Sequence, residues 1–435
     1  MKLMKYFLIL MSSLGIIFSL TGCINSVYEE PKDDNKPQDP NRVTLVLNVG
    51  YVAMTREISV EKEKMHSLRI ILIDAGNDGK VEFNRLIQFN QSTTEYREGV
   101  EGYQLIATSP GKKKIYFIAN EESVENLIQP TEYRNYTLSE LLNSIKENTS
   151  ETHSSIELIN SISFNPENYK EYIPLTSSYE FEIDKREAGS RLEKDFYLVN
   201  AATKFEFEFI NYRGSEIIIN DMTISSIAEE MYLMAHFGKD LNGQPIESEN
   251  KFVEWTDISG EKRRYYWIDW LREVSNETNN KPNDKDPGNE NTNKKYGWIK
   301  DYELPEGVSH KTINVKNIIG MESDLLIPGY KNSVETYTLP IFYCPESKFL
   351  SDDKNRQEYK LSIKLYDKKL DKAKEFNDLK LSYIDDNNEN LVTLFRNTHV
   401  KVKCILDYDP QDIRLQIEVG ICPWDIKNVQ LPKFD

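Results

Sequence analysis

The sequence predicts a mainly β protein: two antiparallel β-sandwich domains in tandem, with a few short helices. Many runs alternate apolar and polar residues, the period of a strand with one buried face. Turn signals such as Asn77-Asp78-Gly79 and Pro110-Gly111 separate them, and helical periodicity is confined to short stretches. At 435 residues the chain is long enough for two domains of ordinary size.

Residues 1–22 read as a secretory signal. Lys2 and Lys5 precede an uncharged run from Phe7 to Leu20, shorter than the roughly 20 residues a membrane-spanning helix needs. Leu20-Thr21-Gly22-Cys23 has the small-residue spacing at which a bacterial lipoprotein peptidase cuts before a cysteine that takes lipid. Cys23 is therefore the expected lipidation site and the means of reaching a membrane. Residues 23–42, charged and proline-rich, form the expected flexible tether.

The first domain is expected over 43–188. Val43, Leu45, Leu47, Val49 and Tyr51 alternate with Thr44, Asn48 and Gly50, so a strand with one buried face opens it. Thr55-Arg56-Glu57 then breaks the pattern. Strands follow at Leu68–Ile73, Val81–Phe89, Tyr103–Ala107 and Lys114–Ile118, with Lys112 to Lys114 read as a solvated strand end. Thr137 and Glu140 have capping-box spacing ahead of a helical stripe, Leu138, Leu141, Leu142 and Ile145.

The second domain is expected over 189–435. Phe205, Phe207 and Phe209 alternate with Glu206 and Glu208, and strands continue at Glu216–Ser226, Met231–Phe237, Thr336–Phe342, Tyr359–Leu365, Leu391–Leu406 and Ile413–Ile421. In the last of these, Leu415, Ile417, Val419 and Ile421 share a face. Residues 275–295 contain almost nothing apolar and read as a flexible insertion. Tyr265, Tyr266, Trp267 and Trp270 would serve as a ligand platform if exposed in one plane; buried packing is the expectation.

The formal net charge of −17 repels phosphate backbones and argues against nucleic acid as a partner. Beyond Cys23, the cysteines are Cys344, Cys404 and Cys422. A hairpin around Asp407 to Asp412 would set Cys404 opposite a residue near Leu415, so buried thiols are expected rather than disulfides. His66, His153, His236, His310 and His399 show no metal-ligand spacing, and GxSxG, P-loop and GxGxxG stretches do not occur. The reading is therefore of a protein that is not an enzyme and needs no cofactor or metal.

Several stretches, in order, resemble the fimbrillin family of Bacteroidetes fimbrial subunits. They are the lipobox ending at Cys23, VTLVLNVG followed by Thr55-Arg56, LRIILIDAGNDGK, Pro110-Gly111 leading into IYFIAN, Ile173-Pro174-Leu175-Thr176, RLEKDFYLVNAATKFEFEF, Phe342-Tyr343-Cys344-Pro345-Glu346, Arg396-Asn397-Thr398-His399 and the closing Pro423-Trp424. The family pattern often has methionine where Leu175 stands, and it lacks the 275–295 insertion.

The resemblance implies two transthyretin-like sandwiches and a subunit of a surface pilus. Such a subunit is exported through the periplasm to the outer membrane as a lipoprotein, and it supports adhesion or biofilm formation. It further implies cleavage after Arg56, removal of the strand within 43–56, and refilling of the groove by C-terminal strands of another fimbrial subunit. Here Leu415, Ile417, Val419 and Ile421 would be the donor row. Cutting at Arg42 would keep the strand. Partners would be other subunits and host or bacterial surface receptors. The competing readings are a non-polymerising surface lipoprotein, whether a fimbrial anchor, a tip or a glycan-binding module, and a secreted hydrolase.

Overall fold

The computed structural model describes residues 41–52, 61–76, 79–88, 104–134, 136–147, 152–237, 252–256, 262–269, 271, 302–321, 324–330, 336–348, 359–381, 391, 393–423 and 426–427. The signal segment, Cys23, the tether before Asn41, Arg56 and the 275–295 insertion lie outside them.

In chain order the first half contains β1 (Val43–Val52), β2 (Ser67–Asp74), β3 (Val81–Gln88), β4 (Gln104–Thr108), β5 (Gly111–Ala119), helices α1 (Leu138–Ser144) and α2 (Thr152–Ser161), β6 (Ser163–Phe164), β7 (Leu175–Ile183) and β8 (Arg191–Asn200). The second half contains β9 (Thr203–Asn211), β10 (Ile217–Ala228), β11 (Met231–Tyr232), β12 (Phe252–Thr256), β13 (Lys262–Tyr266), β14 (His310–Asn314), β15 (Leu325–Ile327), β16 (Thr336–Thr338), β17 (Phe342–Cys344), β18 (Ser347–Lys348), β19 (Lys360–Asp367), β20 (Lys372–Lys380), β21 (Thr393–Leu394), β22 (Thr398–Asp407), β23 (Arg414–Pro423) and β24 (Ile426–Lys427).

In the first half, β4, β1 and β8 form one layer and β7, β5, β2 and β3 the other. The layers meet at a corner where Leu175 and Thr176 pair with Asn200 and Val199. Between them β1 contributes Val43, Leu45, Leu47 and Val49, which pack against Leu68, Ile70, Leu72, Ile115 and Phe117. The far face of the β2–β5 layer is covered in turn by α1 and α2, which makes every residue of β2 buried. The predicted cap is present: Thr137 and Glu140 form the capping box, and Leu138, Leu141, Leu142 and Ile145 are buried. In the second half, β16, β17, β9, β22 and β23 face β14, β15, β10, β19 and β20 across a separate core containing Phe205, Phe207 and Phe209.

Two pairings run parallel, β1 with β8 and β9 with β22. They join strands far apart in the chain, as parallel pairs must, because a tight turn cannot connect them. The expected boundary at 188 moves. Strand β8 belongs to the first sandwich, paired with β1 and β7, and the chain crosses at Ala201-Ala202. The strand expected over Met231–Phe237 is limited to Met231–Tyr232, and the one over Leu391–Leu406 breaks at 395–397. There Asn397 adopts φ 59 and Arg396 turns inward onto Glu346. Lys113 is likewise no solvated strand end: it is buried, 3.3 Å from Asp74 and 3.1 Å from Glu82.

Candidate functional site

Strand β1 is an interior strand. Its first face pairs in parallel with β8, from Thr44 opposite Arg191 to Tyr51 opposite Leu198. Along the other edge, Val43 to Leu47 pair antiparallel with Thr108 to Gln104 of β4, and Tyr51 and Val52 pair with Lys427 and Ile426 of β24. Val43, Leu45 and Leu47 are fully buried and Val49 is 2% exposed; the side chain of Tyr51, fifth in the predicted row, lies outside the described residues.

Beyond the backbone ladders, the side-chain polar ties at and beside β1 among the described residues sit at its surface. Asn48 donates to Glu193 and Asp195 of β8, each at 2.8 Å, and the Arg42 guanidinium donates to the Ala107 carbonyl at 2.9 Å. Without β1, the groove would keep β8, with buried Phe196 and Leu198, as one wall and β4, with Ile106, as the other. Among the described residues β4 pairs with no strand but β1. Its far end is anchored separately: Thr108 and Ser109 donate to the Glu82 carboxylate, which Lys113 bridges to Asp74.

The predicted donor row does not sit beside β1. It lies on β23, which among the described residues pairs with β22 alone. Val419 is buried in the second core and Leu415 and Ile417 pack half-buried against it; the Ile421 side chain lies outside the described residues. Three residues past Pro423, the C-terminal segment nonetheless reaches the end of β1 through β24.

Downstream of the Arg56 segment, residues 61–67 are held by groups that no sequence signal marked. The buried Glu63 carboxylate accepts from Lys204 of β9 at 2.8 Å and from the Tyr343 hydroxyl of β17 at 2.6 Å. Asn120, buried and left-handed at φ 57, donates to the Lys64 and Ile173 carbonyls, accepts from the His66 amide and donates its own amide to Ser67. An asparagine tolerates this backbone better than most residues.

The aromatic run is packing at the positions described. Trp267 is buried 5.3 Å from the Phe395 ring, and Tyr266 lies 5.3 Å from Tyr179 and donates its hydroxyl to the Ser178 carbonyl. Cys404 and Cys344 are buried free thiols whose pKa burial raises. Cys404 pairs with Ile417, two residues from Leu415 and well short of Cys422, as expected.

His399 is buried in β22 with Nε2 2.9 Å from the Glu206 carboxylate. Burial holds His399 down at about 4. At Glu206, burial pushes upward, but the His399 hydrogen bond and the Lys401 and Lys204 charges outweigh it and hold the carboxyl at about 2. A neutral imidazole set against an ionised carboxylate fits both directions.

An open cleft of about 1080 Å³ lies at the helical side, lined by Tyr133, Tyr232, Glu132, Glu157, Glu306 and Lys146 among others. Its carboxylates outnumber its lysine, which disfavours anionic ligands.

No family model matches the chain, and no curated protein matches it in sequence. Similar solved structures include a candidate cell adhesion protein from Parabacteroides distasonis ATCC 8503, with 12% identity and a TM-score of 0.43 over 89% of this chain and 98% of that chain. The tip fimbrial protein Mfa3 from Porphyromonas gingivalis, C-terminally truncated, has 11% identity and a TM-score of 0.43 over 88% of this chain and 100% of that chain. A candidate cell adhesion protein from Bacteroides eggerthii DSM 20697 has 10% identity and a TM-score of 0.40 over 91% and 98%. Strand pairing and burial, not these likenesses, carry the functional reading.

Proposed function

We propose that the chain is a cell-surface fimbrial subunit, carried to the outer membrane on lipidated Cys23, whose first strand is a plug that proteolysis after Arg56 removes. The observation that carries this reading is the position of β1, an interior strand with its own apolar row and, among the described residues, surface side-chain ties in place of buried ones. Burying Val43, Leu45, Leu47 and Val49 at ~1.5 to 3 kcal/mol each contributes about 6 to 12 kcal/mol as an upper bound. That is comparable to the ~5 to 15 kcal/mol stability of a whole domain, so the emptied groove would need a replacement strand, by strand addition from another subunit.

Treating the purified protein with an arginine-specific protease is expected to give a new N-terminus at Glu57 and ladders that resist mild denaturant, while Arg56→Ala gives neither. Cleaved protein that stays monomeric, or ladders from the Arg56→Ala variant, would sink the strand-exchange reading.

One observation favours a second reading. Strand β23 completes its own core through Val419, so donating it would strip that core, and a chain that accepts a strand without donating one would stop growth at a fibre end. With a donor subunit added to the same assay, such a subunit gives a single adduct and no ladder; cleaved protein that forms neither a ladder alone nor an adduct with the donor would sink both readings.

A further inference from the structure

We propose that residues 61–67 form a clamp that keeps the remainder of the chain folded while β1 is absent, with Glu63 and Asn120 as its positioning residues. The proposal rests on the reading of β1 as a removable plug and adds the device that makes removal survivable.

The segment follows the stretch containing Arg56 and leads directly into β2, a strand buried on both faces. If its start were held only through β1, losing β1 would fray β2 and open two cores at once. The geometry avoids this. Glu63 is bound by Lys204 on β9 and Tyr343 on β17, across in the second sandwich. The Lys62 carbonyl accepts from the Ile173 amide at 2.7 Å, and the Lys62 ammonium lies over the Tyr169 ring. Asn120 ties Lys64, His66 and Ser67, and the His66 ring stacks on Tyr172 at 3.6 Å.

These partners lie on β9, β17, the Asn120 turn and the 165–173 connection. Removing β1 leaves each of these ties in place. Between them Met65 enters the first core beside the β1 row, so one apolar group of that core stays fixed from the second sandwich's side.

Native-state hydrogen exchange on the full-length protein tests this without any cut. The amides of His66, Asn120 and Ile173 are expected to exchange only with global unfolding, together with those of β19, while β1 and β4 amides exchange through a smaller opening. Glu63→Gln is expected to lower protection at His66, Asn120 and Ile173 by about 10- to 100-fold relative to β19, the range for losing a hydrogen bond to a charged group. Glu206 lies near enough to Lys204 to feel its charge, so this variant does not leave Lys204 alone. Tyr343→Phe, which deletes one donor, should shift the same amides by about tenfold or less. The clamp is overturned if the three amides open together with β1 in the wild type, or if Glu63→Gln leaves their protection relative to β19 unchanged. A chain never cut at Arg56 leaves this result standing, and a failed clamp leaves the protease result standing.

Discussion

Strands β1 and β9 begin their respective sandwiches in the same way. Each alternates apolar and polar residues, buries its apolar row in a core, and pairs in parallel with a strand distant in sequence. They differ in how they are attached. Strand β9 follows β8 across two alanines, stacks Phe205 and Phe207 on Phe342 at 5.4 and 6.1 Å, pairs Lys204 with buried Glu63 and sets the Glu206 carboxylate against the buried His399 imidazole. On β1 and at Arg42 just before it, the side-chain polar contacts among the described residues are surface bonds, from Asn48 and Arg42. Equal burial need not make two strands equally permanent: on the proposed reading, a cut beside β1 and its lack of buried side-chain charge would let it leave where β9 stays.

The largest expected effect tests that contrast directly. Phe207→Ala should cost about 3 to 5 kcal/mol whether or not the chain is cut, because it empties part of a core that nothing replaces. Leu47→Ala should cost about 2 to 4 kcal/mol in intact protein and nothing after cleavage has released β1. Denaturant titrations of cut and uncut protein check both. A Leu47→Ala cost that persists after release would erase the distinction.

A smaller effect comes from acid. Folding lowers His399 from the ordinary 6.5 to about 4, so the unfolded chain binds more protons between those values and stability falls as pH drops through the window. The loss is at most of order 3 kcal/mol. Glu206, held at about 2 against an ordinary 4.5, contributes stability that is lost below pH 4.5. Melting temperature should therefore begin to fall below pH 6.5, and His399→Gln should flatten the slope from 6.5 to 4 and also weaken the lower one, because His399 is among the groups that hold Glu206 down. A wild-type curve flat down to pH 4.5 would contradict the buried neutral imidazole.

Smallest is Asn48→Ala, which removes the two bonds from β1 to β8 and should cost about 0.5 to 1.5 kcal/mol in intact protein. It should also quicken release of β1 after cleavage, as seen by mass spectrometry of the freed peptide. Unchanged release would mean that packing alone holds the strand.

The locally encoded features were legible in the sequence. The alternation at 43–49 and at Phe205, Phe207 and Phe209, and the capping box at Thr137, depend on neighbours within a few residues. What could not be read depends on partners remote in the chain. Arg191 to Asn200 looks like the opening of a second domain because it leads into Phe205 without a turn signal, and only pairing with β1 assigns it to the first. Lys113 resembles its exposed neighbours until Asp74 and Glu82 are brought around it. Glu63 and Asn120 carry no pattern at all, since a lone acid and a lone asparagine are ordinary until the fold surrounds them.

The anchor of β4 has a consequence for the shape of an emptied groove. Because β1 runs parallel to β8 and antiparallel to β4, β4 is antiparallel to β8 and already oriented to zip onto it. An opened groove thus contains its own competitor for the vacancy. Glu82 would oppose the collapse at one end: with Thr108 and Ser109 fixed to it and Lys113 bound to Ser109, that end of β4 is held two strand spacings, about 9.6 Å, from β8. On the proposed reading, an ion cluster at the rim would act as a spacer, keeping the slot as wide as the strand removed from it.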